Sequence, residues 1–370
     1  MISPASTKPF IAIACGGTGG HLFPGLAVAE QLRQRGCDVA LLISPKEVDQ
    51  QAVKNLSGIE TFTLPAVGLQ NRNYFSFAKS FWDSFSASRN YFKQRPPAAV
   101  LAMGGFTSAP PVLAARKFGA KTFLHESNTV PGKANRFLAR FVDTAFIGFW
   151  EAETRLCARN IMHTGTPVRP QFSAEKNDLA CCRAALGLDA NSPTILIVGG
   201  SQGARGLNDL VLSALPLLKA KGWQFLHLTG AADFEKVRAA YAALDLKAVV
   251  KPFLAEMDLA LGAATACVSR SGASSLAEIA AMWLPSALVP LPTAADNHQF
   301  FNAAAFDKTG AAKLLEQNSS PEKTAAALAE LVENDSYRSQ MRQHLTSWHS
   351  PRAAFEIATW ILGDVVLKPR

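Results

Sequence analysis

Residues 16–21, GGTGGH, join a chain that can turn tightly to one titratable side chain. Glycine lacks Cβ, so backbone N–H groups there can approach a bulky polar ligand at a helix N-terminus. His21 adds a proton acceptor for neutral pH, which turning alone does not require. The pattern matches neither standard nucleotide fingerprint. Leu22 stands where G-x-G-x-x-G needs its third glycine, and no Lys-Ser/Thr pair follows to make a P-loop.

Four further stretches carry groups that could do chemistry. Residues 103–111, MGGFTSAPP, form a second glycine turn with hydroxyls and helix-starting prolines. At 125–128, His125, Glu126, Ser127 and Asn128 follow one another; such side chains are costly to bury idle and are expected to line a cleft. At 269–278, SRSGASSLAE, small hydroxyl residues and Gly272 open a helix, which suits a diphosphate. Glu278 lies about one turn inside, where its carboxylate can accept from two vicinal sugar hydroxyls. Residues 290–299, PLPTAADNHQ, make a polar strand-end loop.

Such groups need elements to hold them. Apolar β-type runs are expected at 10–15, 39–43, 61–64, 100–103, 122–124 and 144–147, then at 194–198, 225–228, 249–250, 266–268 and 287–291. Helical stretches separate them, the alternation of parallel sheets covered on both faces. After the first run, Leu22, Leu26, Ala29 and Leu32 predict a helix, with Pro24 in its first turn and Gly36 just past its end. The pattern restarts at 194–206, TILIVGGSQGARG. The expected fold is α/β, two doubly wound Rossmann-like domains facing across a cleft, with residues 1–168 in the first and 169–351 in the second. Ligands of such sheets sit beyond the carboxyl ends of the strands. This arrangement fits a nucleotide-sugar transferase, in which helix N-termini stabilise a diphosphate leaving group and a base takes the acceptor's proton.

The chain has 370 residues, of which 48% are apolar, enough for two cores. It holds no run of 18 uncharged apolar residues, so no transmembrane helix is expected, and no signal peptide is recognisable. Six scattered cysteines without a C-x-x-C pair give no expectation of a metal, a cofactor or redox chemistry. The net charge of +8 is uneven: residues 1–168 carry 18 Lys/Arg against 10 Asp/Glu, the remainder 19 against 19. An anionic partner for the first domain follows.

The segment 72–95 sharpens that expectation. Tyr74, Phe77, Ala78, Phe81, Phe85, Ser88 and Phe92 recur at helical spacing, while Phe75, Trp82 and Tyr91 lie off the stripe. Arg72, Lys79, Arg89, Lys93 and Arg95 surround them. One reading is a core helix with a solvated basic side. The other is an interfacial surface, with Phe75 and Trp82 as wedges and Lys79 and Arg89 on anionic lipid. No recognition-helix, zinc or RNP signature supports a nucleic-acid partner.

Taken together, residues 16–21, 125–128, 199–205, 269–278 and 295–299 resemble the MurG family, the UDP-N-acetylglucosamine-dependent transferases of peptidoglycan synthesis. The resemblance runs from about residue 10 to 360. It implies a GT-B fold whose last helix, 352–370, packs back on the first domain. It implies an inverting hexosyltransferase that moves N-acetylglucosamine to the muramoyl 4-hydroxyl of undecaprenyl-diphospho-muramoylpentapeptide without a catalytic metal or other cofactor. The chain would then be a peripheral protein of the cytoplasmic face of the bacterial inner membrane, serving cell wall synthesis, cell shape and division. Another GT-B UDP-sugar transferase or a UDP-N-acetylglucosamine 2-epimerase is the alternative.

By motif, the resemblance implies that Thr18, Gly19 and Gly20 face the donor, that Asn128 and Gln299 contact its sugar, and that Arg169 reaches its phosphate side. Ser201 would lie near the diphosphate and Leu254 near the uracil. Ala273, Ser274, Ser275, Leu276, Ala277 and Glu278 would hold diphosphate and ribose. His21 is the favoured general base and Glu126 its rival. The chain departs from the family's usual residues at Phe106, Ser127, Thr166 and Ser275.

Overall fold

The computed structural model describes residues 8–54, 58–66, 74–200 and 203–367. Two units emerge: Met1–Arg169 with Pro351–Arg370, and Pro170–Ser350. In chain order the first unit holds β1 (Phe10–Ala14), α1 (Gly19–Gln34), β2 (Asp38–Ile43), α2 (Glu47–Val53), β3 (Glu60–Thr63) and α3 (Tyr74–Gln94). It continues with β4 (Ala99–Ala102), α4 (Ala109–Arg116), β5 (Lys121–Glu126), α5 (Lys133–Leu138), β6 (Thr144–Ile147) and β7 (Ile161–His163).

These strands form one parallel sheet in the order β3-β2-β1-β4-β5-β6-β7. Alternation along β1 fills both faces. Phe10, Ala12 and Ala14 enter a core with Phe92, Val112 and Leu138, whereas Ile11, Ile13 and Cys15 meet Leu22, Val28 and Leu32 of α1. The strand order reverses between β1 and β4, so a crevice is expected where their carboxyl ends part. Both glycine turns of this unit open there.

Three details differ from the sequence-based expectation. Gly19 and Gly20 themselves take up helical geometry after the extended Thr18, so Pro24 lies inside α1 rather than in its first turn. The fully or nearly buried stripe of α3 is Ser80, Ser84, Ser88 and Phe92, while Ala78 faces solvent. Small serines let α3 approach α4 closely, and Ser88 is satisfied by the Ser84 carbonyl and Ser80 by the Pro65 carbonyl. Of the rings, Phe92 belongs to this stripe, while Phe81, Phe85 and Tyr91 are only partly buried against the same core. Finally, β7 is a strand that its short, half-buried sequence does not announce.

The second unit runs α6 (Leu179–Ala185), β8 (Thr194–Val198), α7 (Arg205–Leu218), β9 (Gln224–Leu228), α8 (Phe234–Ala243), β10 (Ala248–Lys251) and α9 (Met257–Ala263). Then come β11 (Ala266–Ser269), α10 (Ala273–Ala281), β12 (Ser286–Leu288), α11 (His298–Lys308), β13 (Lys313–Leu314), α12 (Pro321–Glu333) and α13 (Asp335–Trp348). Its parallel sheet has the order β10-β9-β8-β11-β12-β13, reversing between β8 and β11. The short edge strand β13 was not foreseen. The last helix, α14 (Ala353–Leu367), returns to the first unit, where Ile357, Ala358 and Ile361 are buried against α1 and its neighbours. Arg35 fastens it, donating to the Phe355 carbonyl at 3.2 Å and to Thr359 Oγ1 at 2.9 Å.

Candidate active site

In the first unit the turn after β1 is held from three sides. A Cβ on Gly16 would lie 2.3 Å from the Ser44 nitrogen, so only glycine lets β1 and β2 run this close. Gly17, at φ +112°, donates its N–H to Asp49 Oδ2 at 2.6 Å. The same buried oxygen accepts from Ser44 N and Ser44 Oγ. Thr107 Oγ1 donates to the Gly16 carbonyl at 2.8 Å and Lys46 Nζ to the Gly17 carbonyl at 2.9 Å.

This turn delivers His21 on the first turn of α1. His21 Nδ1 lies 3.1 Å from Thr18 Oγ1, a contact in which the hydroxyl oxygen accepts a hydrogen bond from Nδ1–H in the tautomer whose lone pair is on Nε2. The imidazole rests on the β4 turn. Cβ atoms on Gly104 or Gly105 would come within 3.0–3.1 Å of its ring, and both glycines have positive φ. Phe106 lies against Gly17, and Lys46 stands 5.3 Å over its ring.

The run that ends β5 and follows it is neither solvated nor idle. His125, Glu126, Ser127 and Thr129 are buried, and Asn128 alone of the predicted four is half-exposed. The expectation that all four line a cleft is therefore corrected: most turn inward to build the loop. Glu126 Oε1 accepts from Asn128 N at 2.8 Å and Asn128 Nδ2 at 2.9 Å; Oε2 accepts from Gly132 N and Asn135 Nδ2, both at 2.9 Å. Four donors fill the capacity of a carboxylate. Asn135, on α5, also donates to the His125 carbonyl, and its amide lies 3.3 Å from where a Gly104 Cβ would stand. One side chain thus links the Glu126 loop to the turn beneath His21. The sequence reading missed it; an asparagine within the short apolar-faced stretch 133–138 was its one signal.

His125 is fully buried between the Gly165 carbonyl, 3.0 Å from Nε2, and Ser127 Oγ, 3.2 Å from Nδ1. Burial pushes its pKa down to about 4, the Gly165 hydrogen bond opposing, so it is neutral at pH 7. Arg169 brings its guanidinium 4.2 Å over the Phe23 ring, the same ring that abuts Gly19. The structure therefore assembles Thr18, Gly19, Gly20, His21, Glu126, Asn128 and Arg169 around the carboxyl ends of β1, β4 and β5.

The second unit has its own cluster at the carboxyl ends of β8 and β11. Helix α10 begins after Gly272 with no side-chain cap for its first N–H groups. Ala273 and Leu276 are buried; Ser274, Ser275, Ala277 and Glu278 are partly accessible. Ser271 Oγ donates to the Gln299 carbonyl at 2.7 Å, and Asn302 Nδ2 to the Ser271 carbonyl. Gln299 Oε1 accepts from Leu291 N at 2.9 Å, so its amide nitrogen is the end left to meet a ligand. Asp296 and Asn297 both adopt left-handed conformations, which turn the chain sharply into α11. Leu254 is buried, and the preceding Phe253, overlooked in the sequence, is 57% exposed. Ser201 lies outside the described residues, as does Arg72.

A polar chain runs through this unit behind the glycine turn. Tyr241 OH meets His227 Nδ1 at 3.1 Å, His227 Nε2 meets Asn208 Oδ1 at 3.0 Å, and Asn208 Nδ2 donates to Thr229 O and Asp233 Oδ2. Asp233 is buried and faces Arg205 at 3.7 Å. Arg270, also buried, donates to the Val289 and Pro290 carbonyls and to Gln317 Oε1. Among the described residues no group of three His, Cys, Asp or Glu could hold a metal ion.

Residues 11–147 match the glycosyltransferase family 28 N-terminal domain and residues 194–354 its C-terminal domain. A UDP-N-acetylglucosamine--N-acetylmuramyl-(pentapeptide) pyrophosphoryl-undecaprenol N-acetylglucosamine transferase of Gloeobacter violaceus is 35% identical over 84% of this chain and 85% of its own. The transferase of the same name from Bacillus subtilis is 33% identical over 93% of this chain and 96% of its own. The crystal structure of Acinetobacter baumannii MurG superposes with a TM-score of 0.75 at 28% identity, covering 96% of this chain and 99% of that one.

Proposed function

Since the chain belongs to the MurG family of glycosyltransferases, and is a UDP-N-acetylglucosamine transferase with the GT-B fold, we propose how its two clusters share the transfer to pyrophosphoryl-undecaprenol-linked N-acetylmuramoyl-pentapeptide. His21 takes the proton of the muramoyl 4-hydroxyl as that oxygen attacks the anomeric carbon of N-acetylglucosamine and the bond to UDP breaks. The observation that carries this reading is the pair of imidazole contacts, Thr18 on Nδ1 and the Gly104–Gly105 backbone against the ring, which orient one titratable group at the β1/β4 switch point. Glu126 is a poor rival because four N–H donors already occupy its oxygens. It holds Asn128 toward the sugar instead.

The uncapped start of α10 receives the diphosphate, and its dipole stabilises the UDP that leaves. Glu278 takes the ribose hydroxyls, Gln299 the sugar, and Phe253 offers its ring to the uracil above Leu254. Arg169 adds a positive charge on the phosphate side. Phe75 and Trp82, 84% and 66% exposed on α3 with Lys79 and Arg89 also exposed, support docking of the first unit on an anionic membrane surface. No described helix is long and apolar enough to cross a membrane. The cytoplasmic face of the inner membrane, where nucleotide donor and lipid acceptor meet, is the proposed location. The test is transfer of N-acetylglucosamine from UDP to a lipid-linked muramoyl-pentapeptide; formation of free N-acetylmannosamine in its place would overturn the reading in favour of an epimerase.

A further inference from the structure

The rim that carries His21 continues along the sheet to an aromatic surface that the transfer mechanism leaves unused. Directly after β6, Phe149 turns into the core and Trp150 turns out, with 64% of its surface exposed. One face of the indole lies on the His163 imidazole, centroids 4.1 Å apart and planes within 10°. His163 ends β7 and is fixed by the Gly148 carbonyl, 3.2 Å from Nε2. Trp150 is therefore a backed, oriented platform and not a loose surface ring. Glu151 and Glu153 follow it in the same short turn, both exposed. The lip combines an open aromatic face with two negative charges inside an otherwise basic unit.

Its place relative to His21 can be reckoned from the sheet. All seven strands are parallel, so the carboxyl ends of β1, β4, β5 and β6 share one rim. Three strand spacings of about 4.8 Å separate β1 from β6, roughly 14 Å. The acceptor's peptide leaves the muramoyl ring through the lactoyl group on the carbon next to the reacting hydroxyl. Five extended residues span up to about 17 Å. A peptide starting beside His21 and running extended along the rim reaches the Trp150 lip within its length.

We propose that Trp150, with Glu151 and Glu153, is the subsite for the acceptor's pentapeptide and holds a positively charged side chain of it. This rests on the transfer reaction proposed above. The indole face supplies a cation–π contact and the carboxylates an ion pair, a combination suited to an amine and not to the lipid or the anionic diphosphate. Gly148 explains why the lip is rigid: a Cβ there would strike Thr166 Oγ1 at 2.4 Å and the Ser127 carbonyl at 3.1 Å, so the turn is pressed against the loop that carries Asn128.

The experiment measures KM for three short-chain prenyl-diphospho-muramoyl acceptors: one with a lysine-containing pentapeptide, the same with that lysine acetylated, and one without peptide. Trp150→Ala should raise KM for the lysine acceptor by roughly three- to tenfold, leaving the donor KM and the peptide-free acceptor unchanged. The double variant Glu151→Gln/Glu153→Gln, at exposed positions that do not threaten folding, should raise KM for the lysine acceptor and not for its acetylated form. Equal shifts for all three acceptors, or none for the lysine acceptor, would overturn the subsite. The peptide-free acceptor keeps that failure separate from a failure of the transfer reading, in which it too would not be turned over.

Discussion

His21, the proposed base, is oriented by groups to which that proposal gives no chemical role. Thr18 orients its Nδ1 edge, and the Gly104–Gly105 backbone forms the slot for its ring. His21→Ala is expected to lower kcat by about 10²–10⁴-fold with little change in donor KM, measured under saturating acceptor. Glu126→Gln tests the clamp. An amide would aim N–H groups at donors that now meet oxygen, so stability should fall by about 1–3 kcal/mol and donor KM should rise as Asn128 loses its anchor. kcat should stay well above that of His21→Ala in that variant; a loss as large as that of His21→Ala would make Glu126 the base. Glu278→Ala should raise donor KM and leave kcat nearly intact, and an unchanged donor KM would remove it from the ribose. At this scale the sequence exposed the chemistry-bearing types but not their orientation. His125, Glu126 and Ser127 are polar neighbours in the chain that turn inward, because a loop so rich in backbone donors needs internal acceptors. Asn135, Asp49 and Asn208 stayed hidden since their partners come from distant turns. Ser127 and Thr166, both departures from the family's usual residues, prove to be neighbours across Gly148.

Elements show a different balance. The strands that read clearly were continuous apolar runs buried on both faces, as in β1 and β8. Those that escaped, β7 and β13, are half-buried and two or three residues long, so no periodicity could mark them. On α3 the sequence left a core helix and an interfacial surface both open; the structure buries Ser80, Ser84, Ser88 and Phe92 and leaves part of the ring set exposed. The rings left over include Phe75 and Trp82. Replacing both with Ser is expected to leave urea unfolding within about 0.5 kcal/mol of the parent, as for other exposed positions, and to weaken sedimentation with anionic vesicles. Unfolding of the variant would return these rings to the core. In the second unit, His227 is pushed down to about 3, chiefly by burial with Asp233 opposing, and His125 in the first to about 4. Both favour fewer protons in the folded chain, so their contribution to stability is complete above the unfolded value near 6.5 and is lost as pH falls toward 4 and 3. Denaturant midpoints at pH 7 and 5 should show this decline, and His227→Gln should flatten it.

The molecule as a whole is threaded so that its first unit closes last. Residues up to Arg169 supply the sheet and the His21 turn, but α14 arrives only after the entire second unit has been made. Ile357 and Ile361 are fully buried against the face of the sheet that α1 also covers. Burying each contributes about 1.5–3 kcal/mol, so their loss would consume much of the 5–15 kcal/mol typical of a domain. A chain ending at Ser350 therefore leaves Leu32, Val39 and the base of α1 uncovered, and α1 is the helix whose first turn carries His21. The second unit is complete without α14, and its sheet, its α10 and its Tyr241–His227–Asn208–Asp233 chain all lie within Pro170–Ser350. The expected outcome of this truncation is loss of transfer together with retained UDP binding, read by calorimetry on the same preparation. If transfer survives, α14 does not support the His21 turn. If UDP binding falls along with transfer, the donor and acceptor halves do not stand on separate cores.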